Sequence, residues 1–173
     1  DDTSVAMYYN NGIAQPVLVV INSTAAGGTG VRAIRLNPTT GQFGNLVTID
    51  ALAGSFATRL STDFDINGNL VVAYYDLTTT TVKFNYSTNG GLTWKPVSAQ
   101  ISQPGIGREG LSIKINPANS RPSVSYYQMS ANNVFLNQCT SSLSSCHNPA
   151  NWTQTTVQDS NGVGVSGITA STH

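Results

Sequence analysis

Seven side chains of the 173-residue chain combine aromatic, amide and charged groups in a way that suits sugar binding. They are Tyr75, Asp76, Tyr127, Gln128, Arg59, Arg108 and Glu109. A pyranose has an apolar face that stacks on aromatic rings and a rim of hydroxyls that pairs with carboxylate, amide and guanidinium groups. A structural interpretation competes with this one. Arg108 and Glu109 can form a solvated rim pair, and strand alternation places Tyr74 or Tyr75 in the core.

Groups for catalysis are scarce by comparison. The chain has one glutamate and five arginines, and its two histidines are His147, beside Cys146, and the terminal His173. These positions indicate neither a Ser/His/Asp set nor a metal cluster. Asp63, Asp65 and Asn67 alternate as calcium ligands can, although solvated turns often carry the same pattern. We therefore predict a protein that is not an enzyme, with calcium as the one cofactor to consider.

The charge balance excludes several classes of partner. Only 9% of the residues are charged, against about 25% in ordinary soluble domains, and the formal net charge is zero. A basic surface for nucleic acid is therefore not expected. No apolar run approaches the roughly 20 residues that span a bilayer, so membrane insertion is not expected either. The predicted partner is a glycan or an extracellular protein.

The two cysteines lie seven positions apart in "CTSSLSSC", between two strand-like runs. A hairpin would bring Cys139 and Cys146 close enough to form a disulfide, which we predict here. Two free thiols are the alternative, and zinc is disfavoured because only His147 lies nearby. A disulfide indicates an oxidising compartment, so we predict a secreted or cell-surface location.

Strand-like segments recur along the chain with a nearly constant spacing. "NLVVAYYD", "TVKFNYS", "LSIKI" and "PSVSYYQ" alternate in the two-residue period of strands and are separated by turn sequences. Val31 aligns with Val82 at a spacing of 51, whereas Trp94 aligns with Trp152 at 58. An insertion at "CTSSLSSC" explains the longer spacing. Such self-similarity is typical of repeat architectures.

Each repeat contains four predicted strands, which in the second unit are residues 59–65, 69–76, 81–87 and 93–99. A repeated four-stranded meander predicts an all-β, β-propeller-like fold rather than a two-sheet sandwich. The predicted single repeat domain has blades at about 3–52, 53–104 and 105–165, and a further strand begins within 166–173.

The stretch "STNGGLTW" resembles the Asp-box, or BNR repeat, of sialidase-like β-propellers, Ser-x-Asp-x-Gly-x-Thr-Trp. Ser87, Gly91, Thr93 and Trp94 match this pattern. Asn89 replaces the aspartate, and its side-chain carbonyl can still accept hydrogen bonds from turn amides. We expect the stretch to hold the turn rather than to bind a ligand.

The resemblance also implies which face binds ligand. In sialidase-like propellers the site lies where second strands turn into third strands and fourth strands cross to the next blade, opposite the box. That face would carry the seven residues named first. A catalytic sialidase needs three arginines, but Arg32 and Arg35 fall within a third strand and Arg121 falls on the box side. The resemblance therefore implies the fold without the catalysis.

The sequence favours a non-catalytic, secreted or surface module that binds glycans or another extracellular partner. Three blades cannot close a ring, because closed propellers have at least four. We therefore expect a homo-oligomer or part of a longer chain. One alternative is a structural or adhesive assembly module, such as a fibre or oligomer building unit. A second alternative is a fragment of a sialidase-like glycoside hydrolase.

Overall fold

The computed structural model describes residues 2–22, 30–51, 57–105, 109–128 and 133–159, and this part of the chain is almost entirely β-strand. The strands form three four-stranded antiparallel sheets, each a simple meander. Sheet 1 contains β1 (Asp2–Asn10), β2 (Ile13–Asn22), β3 (Gly30–Arg35) and β4 (Val47–Asp50). Sheet 2 contains β5 (Ala57–Phe64), β6 (Leu70–Asp76), β7 (Thr81–Ser87) and β8 (Ala99–Gln100).

Sheet 3 contains β9 (Glu109–Asn116), β10 (Arg121–Gln128), β11 (Asn133–Cys139) and β12 (Trp152–Asp159). Two short 3-10 turns, Leu143–His147 and Pro149–Asn151, join β11 to β12. The all-β class and the repeated four-stranded unit are thus confirmed. No helix in the described residues is long and apolar enough to cross a membrane. The strand expected within 166–173 lies outside the described residues.

Sheet 2 lies between the other two sheets, which explains why β6 is buried along its whole length. Val72 and Tyr74 pack in the core shared with sheet 1, whereas Val71 and Tyr75 pack in the core shared with sheet 3. A strand covered on both faces carries a nearly continuous apolar run, as this one does. Both tyrosines are therefore core residues, where alternation alone required only one.

The first strands of the three sheets lie next to one another, and side chains bridge their edges. The Asp2 carboxylate accepts a hydrogen bond from the Leu60 amide at 3.0 Å. The Ser61 hydroxyl accepts one from the Ile113 amide at 3.1 Å. These contacts satisfy backbone donors that an edge strand would otherwise leave unpaired.

A repeated asparagine ties each later sheet to the last strand of the preceding sheet or to the residue directly after that strand. The Asn85 amide group donates to the Ile49 carbonyl at 3.4 Å. The Asn137 amide group donates in the same way to the Ile101 carbonyl. The two asparagines are 52 residues apart, so the sequence repeat carries the contact between sheets.

The ends of the stack differ in what they contain. We call the end with the turns from second to third strands, including residues 77–80, the upper end. The lower end contains the turns from first to second and from third to fourth strands, among them residues 87–94. This distinction decides which predicted residues can share a site.

The predicted strand at 93–99 is wrong, because only Ala99–Gln100 is strand. The Asn85 side chain accepts a hydrogen bond from the Lys95 amide at 3.3 Å and donates to the Lys95 carbonyl at 3.1 Å. The Asn85 side chain thereby satisfies the Lys95 backbone groups that a neighbouring strand would otherwise pair with. Pro96 has no N–H to donate to such a strand. The other three predicted strands of this sheet agree with the structure to within two residues at each end.

Candidate functional site

The Ser87–Trp94 turn is a closed hydrogen-bond network at the lower end. The buried Ser87 hydroxyl accepts a hydrogen bond from the Gly91 backbone amide and donates one to the side-chain oxygen of Asn89, both at 2.8 Å. That same oxygen accepts from the Thr93 amide at 2.9 Å. The Trp94 indole donates to the Gly91 carbonyl at 3.1 Å. These side chains form hydrogen bonds within the turn and so stabilise it. The Asn89 side chain supplies the acceptor for the Thr93 amide.

A disulfide joins Cys139 to Cys146 at the same end of the molecule. Both cysteines are buried and pack in the core shared by sheets 2 and 3 together with Leu143. The Trp152 indole donates to the Cys146 carbonyl at 2.7 Å. The inserted segment therefore anchors the start of β12.

Asp76 lies at the upper end but faces the protein interior. It is 1% exposed, and its carboxylate forms an ion pair with the Lys83 ammonium at 2.7 Å. The other carboxylate oxygen accepts from the Thr78 amide at 2.8 Å, which closes the turn from β6 to β7. Asp76 thus combines a buried ion pair with a turn cap.

Asp76 and three other residues, Asp50, Tyr74 and Lys83, form what we call the upper charge cluster. Lys83 also lies 3.8 Å from the Asp50 carboxylate of sheet 1. The Tyr74 hydroxyl donates to Asp50. Burial, followed by the charge of Asp50, raises the pKa of Tyr74 well above its usual value. Tyr74 therefore remains a protonated hydrogen-bond donor.

Sequence reasoning missed Asp50 and Lys83. No local pattern shows that the end of β4 meets the start of β7, because the two strands belong to different sheets. Their contact depends on how sheet 1 stacks on sheet 2. The available signal was a lysine within an apolar strand, directly opposite Tyr74 in the register of the sheet.

Arg59 occupies a β-bulge in β5 at the upper end. The register shifts between Thr58 and Leu60, and Arg59 has a φ of +52° with an exposed side chain. Sheet 3 has the corresponding irregularity, and there Gly110 supplies the positive φ of +61°. A left-handed conformation costs a non-glycine residue roughly 1–2 kcal/mol. Sheet 2 therefore keeps an arginine where the repeat tolerates glycine.

The structure distributes the remaining predicted ligand residues over two sheets. Tyr75 is only 4% exposed, so its ring is part of the core rather than a surface for stacking. Tyr127 and Gln128 are half-buried at the upper end of β10, where Tyr127 pairs with Glu109 across the sheet. Arg108 and the side chain of Glu109 lie outside what the structure describes.

The residues considered for calcium have separate roles in the structure. The Asp63 carboxylate accepts from the Ile115 amide at 3.0 Å and thereby joins sheet 2 to sheet 3. The Asp65 carboxylate accepts from the Asn67 and Asn69 amides and closes the turn from β5 to β6. The described residues contain no group of three His, Cys, Asp or Glu side chains that could hold a metal ion.

Comparisons with known proteins bear on the fold alone. No protein-family model matches the chain, and no curated protein does. The fold is similar to a Dyadobacter fermentans DSM 18053 protein of unknown function, at a TM-score of 0.59 and 14% identity, over 88% of this chain and 41% of that one. It is also similar to an exo-beta-1,3-galactanase from Clostridium thermocellum, at a TM-score of 0.56 and 10% identity, over 86% of this chain and 35% of the galactanase. The chain spans less than half of either structure.

Proposed function

We propose that the chain is a non-catalytic, extracellular, β-propeller-like module that binds glycans at its upper end. The observation that carries the proposal is Arg59, an exposed arginine held in a left-handed bulge. Strained backbone is retained mostly where function requires it, and bulges often direct a side chain next to a binding site. A guanidinium group presents five donors in a fixed plane, which suits sugar hydroxyls and carboxylates.

The upper charge cluster favours binding over catalysis. Glycosidases use two carboxyl groups that flank the scissile bond, one of them as acid and the other as base or nucleophile. At the upper end the Asp76 carboxylate is engaged by Lys83 and the turn amides, and Asp50 receives the Tyr74 hydroxyl. Both carboxylates thus stabilise the protein. We therefore expect no hydrolysis of glycosides by this chain.

Two further observations support the proposed class and location. The disulfide is of the kind that persists in oxidising compartments, which supports a secreted or cell-surface protein. The fold resembles that of a galactanase. This resemblance motivates β-1,3-galactan oligosaccharides as the first glycans to test. The closed turn at Ser87–Trp94 agrees with the expected role of an Asp-box, which supports the propeller-like assignment.

Replacing Arg59 with alanine is expected to weaken glycan binding about 10- to 100-fold, because hydrogen bonds to charged groups contribute roughly 1.5–3 kcal/mol. Alanine at this position keeps the positive φ, so the backbone of the bulge should be retained. Arg59→Gly should weaken binding equally while raising the free energy of unfolding by up to about 1 kcal/mol. Calorimetric titration with β-1,3-galactan oligosaccharides, after a glycan array, measures the affinity.

Arg121→Ala is the matched control, since Arg121 is an exposed arginine at the lower end. It should leave binding unchanged. Equal affinities for Arg59→Ala and wild type would refute the upper-end site. Release of product from the same oligosaccharides would refute the non-catalytic assignment and restore the glycoside-hydrolase alternative.

A second candidate function, assembly, is supported by the outer face of sheet 1. Val5, Met7 and Tyr9 on this face are 64%, 50% and 65% exposed. The equivalent faces of sheets 2 and 3 are covered by the preceding sheet. Apolar sheet faces of this kind mark interaction sites. The occupant that continues the existing stacking is a second copy of this chain, contributing one more sheet.

This assembly hypothesis predicts a mass that rises with protein concentration in light scattering. The double variant Val5→Lys with Met7→Lys places two charges on the outer face of sheet 1 and should therefore keep the chain monomeric. Val97→Lys is the control, because Val97 is 68% exposed and lies at the lower end. A wild-type chain that stays monomeric at every concentration would exclude self-assembly through this face.

A further inference from the structure

A groove at the lower end lies between the turn from β3 to β4 and the Ser87–Trp94 turn. We call it the lower groove, and it has a volume of about 430 Å³. Its lining includes Arg35, Leu36, Pro38, Phe43 and Leu92. Arg35 is the one charged residue among the described residues that line it. The lower groove therefore combines a single positive charge with apolar side chains from two sheets.

Phe43 contributes an exposed aromatic ring to the groove where sheet 2 has a packed one. Phe43 and Trp94 are 51 residues apart, which is the spacing of the repeat. Trp94 packs against the core shared by sheets 1 and 2, and its indole N–H donates a hydrogen bond within its own turn. Phe43 is instead 60% exposed. Its ring therefore does not stabilise the core as Trp94 does, and most of its surface is open to a partner.

Leu92 brings a second exposed apolar side chain to the groove, from the Ser87–Trp94 turn. It is 54% exposed, although hydrogen bonds hold the backbone on both sides of it, at Gly91 and Thr93. Single apolar side chains on a surface are ordinary. An arginine beside an exposed aromatic ring is different, because these two groups are enriched in the interfaces between proteins.

The Arg35 guanidinium group is held in place by a neutral partner. It donates a hydrogen bond to the Gln15 side-chain oxygen at 2.9 Å. A β-carbon added at Gly90 would lie 3.6 Å from the guanidinium carbon, so the group also lies close to the Ser87–Trp94 turn. No carboxylate of the described residues forms an ion pair with Arg35. A guanidinium group carries several N–H donors, so a single amide partner leaves donors for an incoming carboxylate.

The turn from β3 to β4 holds its side of the groove in one shape. The Asn37 amide donates to the Gln42 carbonyl at 2.9 Å, and the Gly41 amide donates to the Asn37 carbonyl at 2.8 Å. The Asn37 side-chain oxygen accepts a further hydrogen bond from the Thr39 amide at 2.9 Å. Because these bonds exist before a ligand arrives, binding has a smaller entropic cost.

We infer that the lower groove binds an extended segment of a partner protein in which a carboxylate and a large apolar side chain share one face. The carboxylate pairs with Arg35, and the apolar side chain packs against Phe43 and Leu92. Charge complementarity selects this occupant, since the described lining residues carry one positive charge and no negative one. The aliphatic groups of Leu36, Pro38 and Leu92 favour a peptide over a sugar, because sugars stack on flat aromatic faces. Peptide binding at the lower end goes beyond the proposed glycan binding and uses different residues.

The blocked peptide acetyl-Leu-Ser-Asp-Ser-Leu-amide tests this inference, because its aspartate and leucines share one face when the chain is extended. In nitrogen-15 correlation spectra of the wild-type protein, the peptide at millimolar concentrations should shift the backbone amide signals of Gly44 and Leu92 in a saturable way. The amide signal of Thr78, at the upper end, should stay in place.

A second peptide, with asparagine instead of aspartate, measures the contribution of the charge. It should bind about tenfold more weakly, because it offers no charge-assisted hydrogen bond to Arg35. Adding about 1 M salt should reduce the difference between the two peptides, since salt screens charge pairs that are open to solvent.

Two variants of the protein test the two halves of the groove. Arg35→Gln should weaken binding of the aspartate peptide about tenfold and leave binding of the asparagine peptide unchanged, which a general loss of structure would not do. Leu92→Ser should weaken binding of both peptides about fivefold through lost apolar contact. Leu46→Ser is the matched control, because Leu46 is 48% exposed and does not line the groove. Unfolding curves verify that all variants remain folded.

Saturable shifts that depend on the aspartate of the peptide and on Arg35 would support the peptide site. Equal affinities for the two peptides, or no saturable shift with either, would overturn it. A saturable response to methyl glucuronoside without a response to the peptide would also overturn it, because the groove would then take an acidic sugar. Peptide binding should survive Arg59→Ala, so failure at the lower groove leaves the proposed glycan binding at the upper end intact.

Discussion

Replacing Lys83 with methionine is expected to lower the free energy of unfolding by about 3 kcal/mol, because it removes the ammonium group from a buried ion pair. The Asp76 side chain is 2% exposed, and its partner lies 2.7 Å away. Methionine fills a similar volume, so most of the loss in stability comes from the broken ion pair rather than from a cavity. Urea unfolding followed by fluorescence measures the difference.

Two variants make this result interpretable. Adding Asp76→Asn to Lys83→Met removes the buried negative charge as well and should recover part of the lost stability. Lys114→Met is the surface control, since Lys114 is half exposed and lies 3.5 Å from Asp63. Lys114→Met should lower the free energy of unfolding by no more than about 1 kcal/mol. Equal losses for Lys83→Met and Lys114→Met would show that the upper charge cluster is not a buried ion pair.

Replacing Cys139 and Cys146 together with alanine should destabilise the protein by about 2–4 kcal/mol. Closing a loop this short restricts the unfolded chain by roughly 2.5 kcal/mol. The remainder comes from the packing of the buried sulfur atoms against the core shared by sheets 2 and 3. Thermal and urea unfolding of the variant and the wild type provide the measurement.

Reduction of the wild-type protein separates the covalent bond from the packing. Dithiothreitol breaks the bond but leaves both sulfur atoms in the core. The free energy of unfolding of the reduced chain should therefore lie between that of the oxidised chain and that of the double alanine variant. Because the insertion anchors Trp152, reduction should also shift the indole N–H signal of Trp152 in NMR spectra more than that of Trp94. Identical stability of the oxidised and reduced chains would mean that the bond does not restrain the fold.

Local signals in the sequence predicted the architecture well. Two-residue periodicity and turn residues placed β5, β6 and β7 to within two residues, because strand propensity and turn geometry depend on near neighbours. The repeat spacing identified the four-stranded unit. The short separation of Cys139 and Cys146 across a hairpin predicted their pairing, since only a few residues had to fold for them to meet.

The stacking of sheets decided the rest. The Asn85 side chain forms hydrogen bonds with a segment that had been predicted to be a strand. Lys83 contacts carboxylates from two different sheets. Tyr75 is a core residue because sheet 2 has a neighbouring sheet on each face. The position of Arg35 close to the Ser87–Trp94 turn likewise depends on how sheet 1 stacks on sheet 2. A sequence determines which strands form through interactions between near neighbours. Which side chains meet depends on the packing of sheets distant in sequence, and only the tertiary structure shows that.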